Sequence, residues 1–264
     1  MGGYNEKLAK YLPDDFISDY QMGMNFFHLQ LVELEINLFI LRKILDFPFH
    51  LFTAPQGNHF FSQVFRNFAQ ISILIVTRLF TDQGAEWFTL PRFKNQVCQK
   101  VKEPLKDELY KRLEGVKFDK RLEELKEKAR NARSEKIAHL KEDVFFGKEQ
   151  SAIITVGELV DLKEALVSFY KALSFETEYM MLPLPYHAQI NPGVVNVEKV
   201  TDIDRILDGI VKRSILIHLP EENPVHWDIR KEQMSKEDKV IYDAYRAKYD
   251  LPIQFGYPDD FDAS

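Results

Sequence analysis

The residues best equipped for chemistry lie in one short run, Arg130-Asn131-Ala132-Arg133-Ser134-Glu135-Lys136-Ile137-Ala138-His139-Leu140-Lys141-Glu142-Asp143. A histidine titrates near neutrality, so His139 can take a proton and return it within one reaction. Arg133 is always charged, and its planar guanidinium forks onto phosphate oxygens. Together they form a minimal kit for cutting RNA without a metal. The imidazole would deprotonate a ribose 2′-hydroxyl or protonate the leaving 5′-oxygen. The guanidinium would stabilise the charge that builds on the phosphorane. On an ideal helix the two residues stand about 120° apart and ~9 Å along the axis, which serves a single phosphate poorly. Two copies meeting across a twofold axis can bring both pairs to one cleft, so this kit predicts a homodimer.

Other chemistries lack their residues. The seven histidines include no two that are three to five positions apart, and there is no His-Glu-x-x-His motif, EF-hand pattern or Cys/His cluster. No metal site is expected, and no cofactor. Glycine loops of the G-x-G-x-x-G or Walker type are absent, as is a Gly-x-Ser-x-Gly elbow. The single cysteine, Cys98, excludes an intrachain disulfide and lies in Phe93–Val101 without a nearby histidine. It reads as a small core residue rather than a nucleophile.

Charge is unevenly spread. The whole chain carries −6, yet residues 100–141 hold 14 Lys/Arg against 9 Asp/Glu, and residues 201–264 hold 9 against 14. A basic stretch of this kind suits an anionic partner such as RNA, although solvated helix faces give the same count. For Arg130 the plainer reading is a solvated charge, one turn before Arg133. Glu135 and Asp143 flank His139 at i−4 and i+4, where each can orient the imidazole or pair with a lysine.

The elements that must position these groups read as helices. The first spans Asp14 or Asp15 to about Asp46 and is apolar on nearly all sides between Leu29 and Leu45, as befits a buried helix or a subunit contact. Within it Glu33 and Glu35 need partners, with Arg78 a candidate. Residues 46–58, holding Pro48, Pro55 and Gly57, read as a loop. A second helix runs from about His59 to Thr81 behind Asn58, with a face of Phe61, Val64, Phe65, Phe68, Ile71, Leu74, Ile75 and Leu79. A short segment follows at Leu90–Val101, capped by Thr89.

The third main helix is expected from about Phe118 to Asp143, with an earlier start near Pro104 and a break at Gly115 as a variant. It carries Leu122, Leu125, Ala129 and Ala132 on one face. A fourth spans Gly157–Glu178. This order is the pattern of a four-helix bundle. Past Met181 a proline-bearing connector leads to short helices at Asp202–Ile217 and Ser235–Tyr249, the latter capped by Ser235. The most apolar run, Ile71–Val76, is interrupted by Ser72 and falls far short of the ~20 residues that span a bilayer. With no signal-peptide pattern at the N-terminus, a cytoplasmic location and no membrane partner are expected.

Arg133-Ser134-x4-His139 resembles the Arg-polar-x4-His signature of HEPN domains, helical bundles that include many metal-independent ribonucleases. Arg133-Ser-Glu-Lys-Ile-Ala-His139-Leu is similar to the corresponding run of the abortive-infection, AbiU-like branch. Ile73–Asp82 with Phe88-Thr-Leu-Pro, and Ile154-Thr155-Val156-Gly-Glu-Leu, resemble that branch's second helix and the entry to its last one. The resemblance implies an all-α, HEPN-like four-helix bundle over residues 1–180, and it leaves 181–264 as a mostly helical and irregular C-terminal extension. It also implies catalytic Arg133 and His139, supported by Ser134 and Arg130, and cleavage that leaves a 2′,3′-cyclic phosphate. RNA, a second copy of the chain, and a protein antitoxin or regulator are the partners it suggests. The alternative is a noncatalytic helical module that binds protein or RNA, in which Arg133 and His139 are structural.

Overall fold

A run of 33 residues without proline winds into α1, Asp14–Asp46, with Asp14 and Asp15 in the first turn and Lys43 in the last, each complementing the helix dipole. Its buried residues Ile17, Tyr20, Met24, Phe27, Leu31, Leu34, Leu38 and Leu41 advance by alternating steps of three and four, which draws one continuous apolar seam. The structure is a computed structural model and describes residues 7–52, 58–80, 88–103, 105–116, 120–134, 153–175, 202–217 and 234–248. Regular structure among them is helical, and no strand occurs among them, so the chain is all-α there.

The chain divides into two compact units. One is Met1–Leu45 with Phe61–Lys199, and the other is Asp46–Phe60 with Val200–Ser264. In the first, α1 is joined by α3 (Asn58–Phe80), α4 (Leu90–Lys100), α5 (Leu105–Glu114), α6 (Lys120–Ala132) and α7 (Val156–Leu173). Among the described residues α1 alone is long and apolar enough to cross a membrane, with a mean hydropathy of 1.2 over the qualifying window. Its seam is filled by helices of its own unit. Tyr20 donates its hydroxyl to Leu173 O at 3.0 Å, and Lys163 donates to Glu35 Oε2 at 2.6 Å, so α7 runs antiparallel to α1. Phe93 packs its ring against Tyr20 and Phe27, and Lys100 reaches Asp15 at 3.4 Å, so α4 is antiparallel to α1 as well.

Gly23 is where α1 and α4 meet most closely. A Cβ there would lie 2.7 Å from Phe93 Cζ, inside any ordinary contact. The ring is buried and hemmed by Tyr20, Phe27 and Phe88, so it has little room to retreat. Gly23→Ala would gain about 1 kcal/mol of helix propensity. Overpacking a dense core costs about 1–3 kcal/mol or more, so the loss wins. A net destabilisation of up to about 2 kcal/mol is expected in urea unfolding, and the Gly23→Ala/Phe93→Leu double variant should lose less than the sum of the singles.

The remaining boundaries follow the caps. Thr89 accepts from Arg92 N–H with Pro91 in the first turn of α4, and Gly115 lies in the break between α5 and α6. The buried stripe of α3 departs from the expected face. Ile71 is exposed and Leu74 half-buried, while Ser72, Ile73, Val76, Thr77 and Phe80 are buried. Two polar residues enter the core because their hydroxyls donate back along the helix, Ser72 to Phe68 O and Thr77 to Ile73 O. The partner of Glu35 is Lys163 and not Arg78, which instead donates to Gln30 Oε1 at 2.9 Å. Helix α7 stops at Leu173, five residues short of the expected Glu178. Ser174 turns extended, and the last carbonyls are taken by Tyr20 and by Arg112, which donates to Ser174 O at 2.7 Å.

The second unit holds α2 (Phe49–Phe52), α8 (Asp202–Ile217) and α9 (Lys236–Lys248). The stretch 46–58, expected to be a loop, contains the one-turn helix α2. Phe52 stacks there on Tyr242, both Phe47 and Phe52 meet Tyr245 of α9 edge-on, and aromatic burial orders the turn. Ser235 caps α9 by accepting from Asp238 N–H at 3.0 Å. The Asp238 carboxylate bonds His50 Nε2 at 3.0 Å, and this contact, with the Ser235 hydroxyl, holds its pKa below the usual aspartate value. A carboxylate with a lowered folded pKa contributes stability above its unfolded pKa and loses it as pH falls through the folded value. Asp238→Asn should therefore lower the melting temperature near neutrality, with the gap to wild type closing below about pH 4.

Candidate functional site

Helix α6 exists because its polar face is rich in good helix formers and its Leu122, Leu125, Ala129 and Ala132 are buried, the face expected of it. It packs on α7, whose start is fixed by a reciprocal cap. The Thr155 hydroxyl accepts from Glu158 N–H, and the Glu158 carboxylate accepts from Thr155 N–H at 2.7 Å. Burial works to raise the Glu158 pKa, but hydrogen bonds from Lys128 and Thr155 outweigh it and hold the carboxyl below its ordinary value. The α6–α7 contact is thus pinned at a charged end as well as along its apolar face.

The cations of α6 are mostly spoken for. Lys120 pairs with Glu124, Arg121 with Asp161, Lys126 with Glu123, Lys128 with Glu158, and Arg130 with Glu127. Such surface pairs contribute about 0–1 kcal/mol each to stability. Their larger consequence is local neutralisation, which removes most of the charge excess that a phosphate would meet along residues 120–130. Arg130 is half-exposed and bonded to Glu127 at 2.9 Å, as a solvated surface pair would be.

Beyond Ala132 the backbone widens. Arg133 and Ser134, both half-buried, wind as a π-helical turn instead of continuing the α-helix. Arg133 is engaged with its surroundings. Turns of this kind break the regular hydrogen-bond ladder and are frequent at functional positions. The structure therefore brings Arg130, Arg133 and Ser134 to one end of α6. His139 lies outside the described residues, as do Glu135 and Asp143, and so does the expected continuation of the helix to Asp143. Among the described residues no group of three or more His, Cys, Asp and Glu side chains is placed to hold a metal ion.

Cys98 is buried on α4, and burial raises its thiol pKa against the lowering effect of Lys94 and Lys106. It stays protonated near neutrality, as a core residue would. It also edges a cavity of about 420 Å³ between α4, α5, α6 and α7 that no motif announces. Its lining comes from four helices at no fixed spacing. The only hint in the sequence is Tyr110, an aromatic residue on a helix that is otherwise largely charged. No protein-family model, curated protein or solved structure matches this chain.

Proposed function

We propose that this chain is a HEPN-type, metal-independent endoribonuclease related to toxin or phage-defence systems. It acts as a cytoplasmic homodimer in which two copies of Arg133 and His139 share one RNA phosphate. The observation that carries the reading is the change in character along α6. Up to Arg130 every cation has a carboxylate partner, and at Arg133-Ser134 the helix opens into a wider turn at the start of the Arg-x5-His run. Beyond that point Arg133, Lys136 and Lys141 are matched in number by Glu135, Glu142 and Asp143 around the one histidine of the segment, so the reading rests on residue types and not on a net positive charge.

In this reading the α6–α7 interface is a rigid base. It holds the start of the run while Arg133 grips the scissile phosphate and His139 moves the proton. Ser134 donates to a phosphate oxygen, and Arg130, already paired with Glu127, adds only a small supporting charge. Cleavage leaves a 2′,3′-cyclic phosphate, and a protein antitoxin or regulator restrains the enzyme. The test compares wild type, Arg133→Ala and His139→Ala for RNA cleavage in EDTA, with the oligomeric state measured at assay concentration. Cleavage that survives EDTA and disappears in both variants supports the reading. Equal cleavage by all three, or full activity from a monomer, overturns it.

A second reading is favoured by the pairing itself. Five ion pairs and basic residues near the C-terminal end of α6 also suit a helix built only to fold, since cations there complement the dipole. The chain would then be a noncatalytic helical module that binds protein or RNA, and His139→Ala would lower stability while leaving binding intact.

A further inference from the structure

The cavity between α4, α5, α6 and α7 is lined by residues that take no part in the ribonuclease reading. Its volume of about 420 Å³ falls in the range of small-molecule pockets. Its body is apolar, formed by the ring of Phe169 on α7, the side chain of Leu113 on α5 and the ring of Tyr110. Tyr110 is 46 % exposed, a large aromatic surface left open to solvent at the mouth.

The charged groups around it are not equivalent. Lys126 is held by Glu123 at 2.9 Å and lies over the Phe80 ring, so these two charges cancel each other. Lys106, the other cation near Cys98, is paired with Glu103 at 3.2 Å. Lys94 lines the cavity, is half-buried, and has no ion pair among the described residues. Glu114 at the rim is exposed and solvated. Lys94 and Glu114 are thus the two lining charges without an ion pair among the described residues, and of these Lys94 is the less exposed.

We propose that this cavity binds a small aromatic carboxylate. The flat ring enters between Tyr110, Leu113 and Phe169, and the carboxylate is held by Lys94. A flat ring suits aromatic walls that favour stacked or edge-on contact, and a half-buried ammonium without a counter-ion attracts an anion more strongly than a fully solvated one. An aliphatic chain would fill the same volume without the ring contacts, and an aromatic amine would meet Lys94 as a like charge.

The test uses the full chain with four probes of similar size: 2-naphthoate, 2-naphthylmethylamine, 2-naphthalenemethanol and octanoate. Equilibrium dialysis reads affinity and stoichiometry. Alkylation of Cys98, the single cysteine and a lining residue, reads where the probe sits. 2-Naphthoate is expected to bind once per chain, at least about tenfold tighter than the amine or octanoate, and to slow Cys98 alkylation at least about fivefold. Lys94→Met should weaken 2-naphthoate about tenfold or more while changing the neutral alcohol by less than about threefold. Leu113→Trp, which fills the space, should abolish binding of all four. Should Leu113→Trp fail to fold, Lys94→Met still decides, because its side chain is half-exposed and outside the core. Equal binding of anion and amine, octanoate binding as tightly as 2-naphthoate, an unchanged Lys94→Met variant, or binding without protection of Cys98 would each overturn the assignment.

Discussion

Arg133→Ala and His139→Ala are each expected to lower EDTA-resistant RNA cleavage by about 10²–10⁴-fold, with circular dichroism melting curves close to wild type. The size follows from the role of each group. A positioned acid or base contributes about 10²–10⁴-fold, and one donor aimed at developing negative charge contributes about 10²–10³-fold. Residues acting on one transition state are not additive, so the double variant should be little worse than the weaker single. Arg133→Lys keeps the charge and loses the planar fork, so it should recover only part of the activity.

Arg130→Ala provides the internal contrast. Its guanidinium already bonds Glu127 at 2.9 Å, so its loss should change cleavage by less than about threefold. A general loss of basic charge would instead reduce all the arginine variants alike and would depend steeply on salt. If Arg130→Ala and Arg133→Ala weaken cleavage equally, the helix acts only as an electrostatic surface and the proposed division of roles is wrong.

The fold was legible wherever a cap coincided with an apolar period. Asp14 and Asp15 at the head of α1, Thr89 before α4 and Ser235 before α9 each mark a start that the backbone obeys. The buried face of α6 also follows from the spacing of Leu122, Leu125, Ala129 and Ala132. What was not legible depends on partners far away in the chain. The end of α7 is set by Tyr20 and Arg112, more than sixty residues before it. The rotation of the α3 stripe depends on hydroxyls that satisfy themselves inside the core. The helical turn α2 is held by tyrosines nearly two hundred residues later. Local propensity carries no record of such contacts. The candidate site divides in the same way. The Arg-x5-His run stands out in sequence because its residue types are unusual together. The cavity does not, because Lys94, Tyr110, Leu113 and Phe169 are ordinary residues until four helices converge.

Lys163→Ala is expected to destabilise the first unit by about 2–4 kcal/mol at neutral pH, among the largest effects of any single substitution outside the apolar core. Lys163 is 8 % exposed on α7, and its ammonium bonds Glu35 Oε2 at 2.6 Å and Glu164 Oε1 at 2.7 Å. Burial alone would depress its pKa, but the hydrogen bonds and charges of Glu164 and Glu35 outweigh that and raise it above the ordinary lysine value. Removing one partner of a buried pair typically costs about 3–5 kcal/mol because the other charge stays behind without compensation. Here Glu35 is partly open to solvent, with 21 % of its side chain exposed, and can recover some hydration, which brings the expectation down. The loss belongs to the orphaned carboxylate more than to the missing attraction. Glu35→Leu/Lys163→Met, which removes both charges and keeps apolar bulk, should therefore be more stable than Lys163→Ala by about 1 kcal/mol or more. The sign with pH is set by the raised pKa. The contribution of Lys163 is complete below the unfolded lysine value and fades as pH rises through the folded one, so the wild-type advantage should shrink only under strongly alkaline conditions. Urea unfolding at neutral and alkaline pH measures all three chains. If Lys163→Ala unfolds at the same urea concentration as wild type at neutral pH, the ion pair does not tie α1 to α7, and the antiparallel seam alone carries that contact.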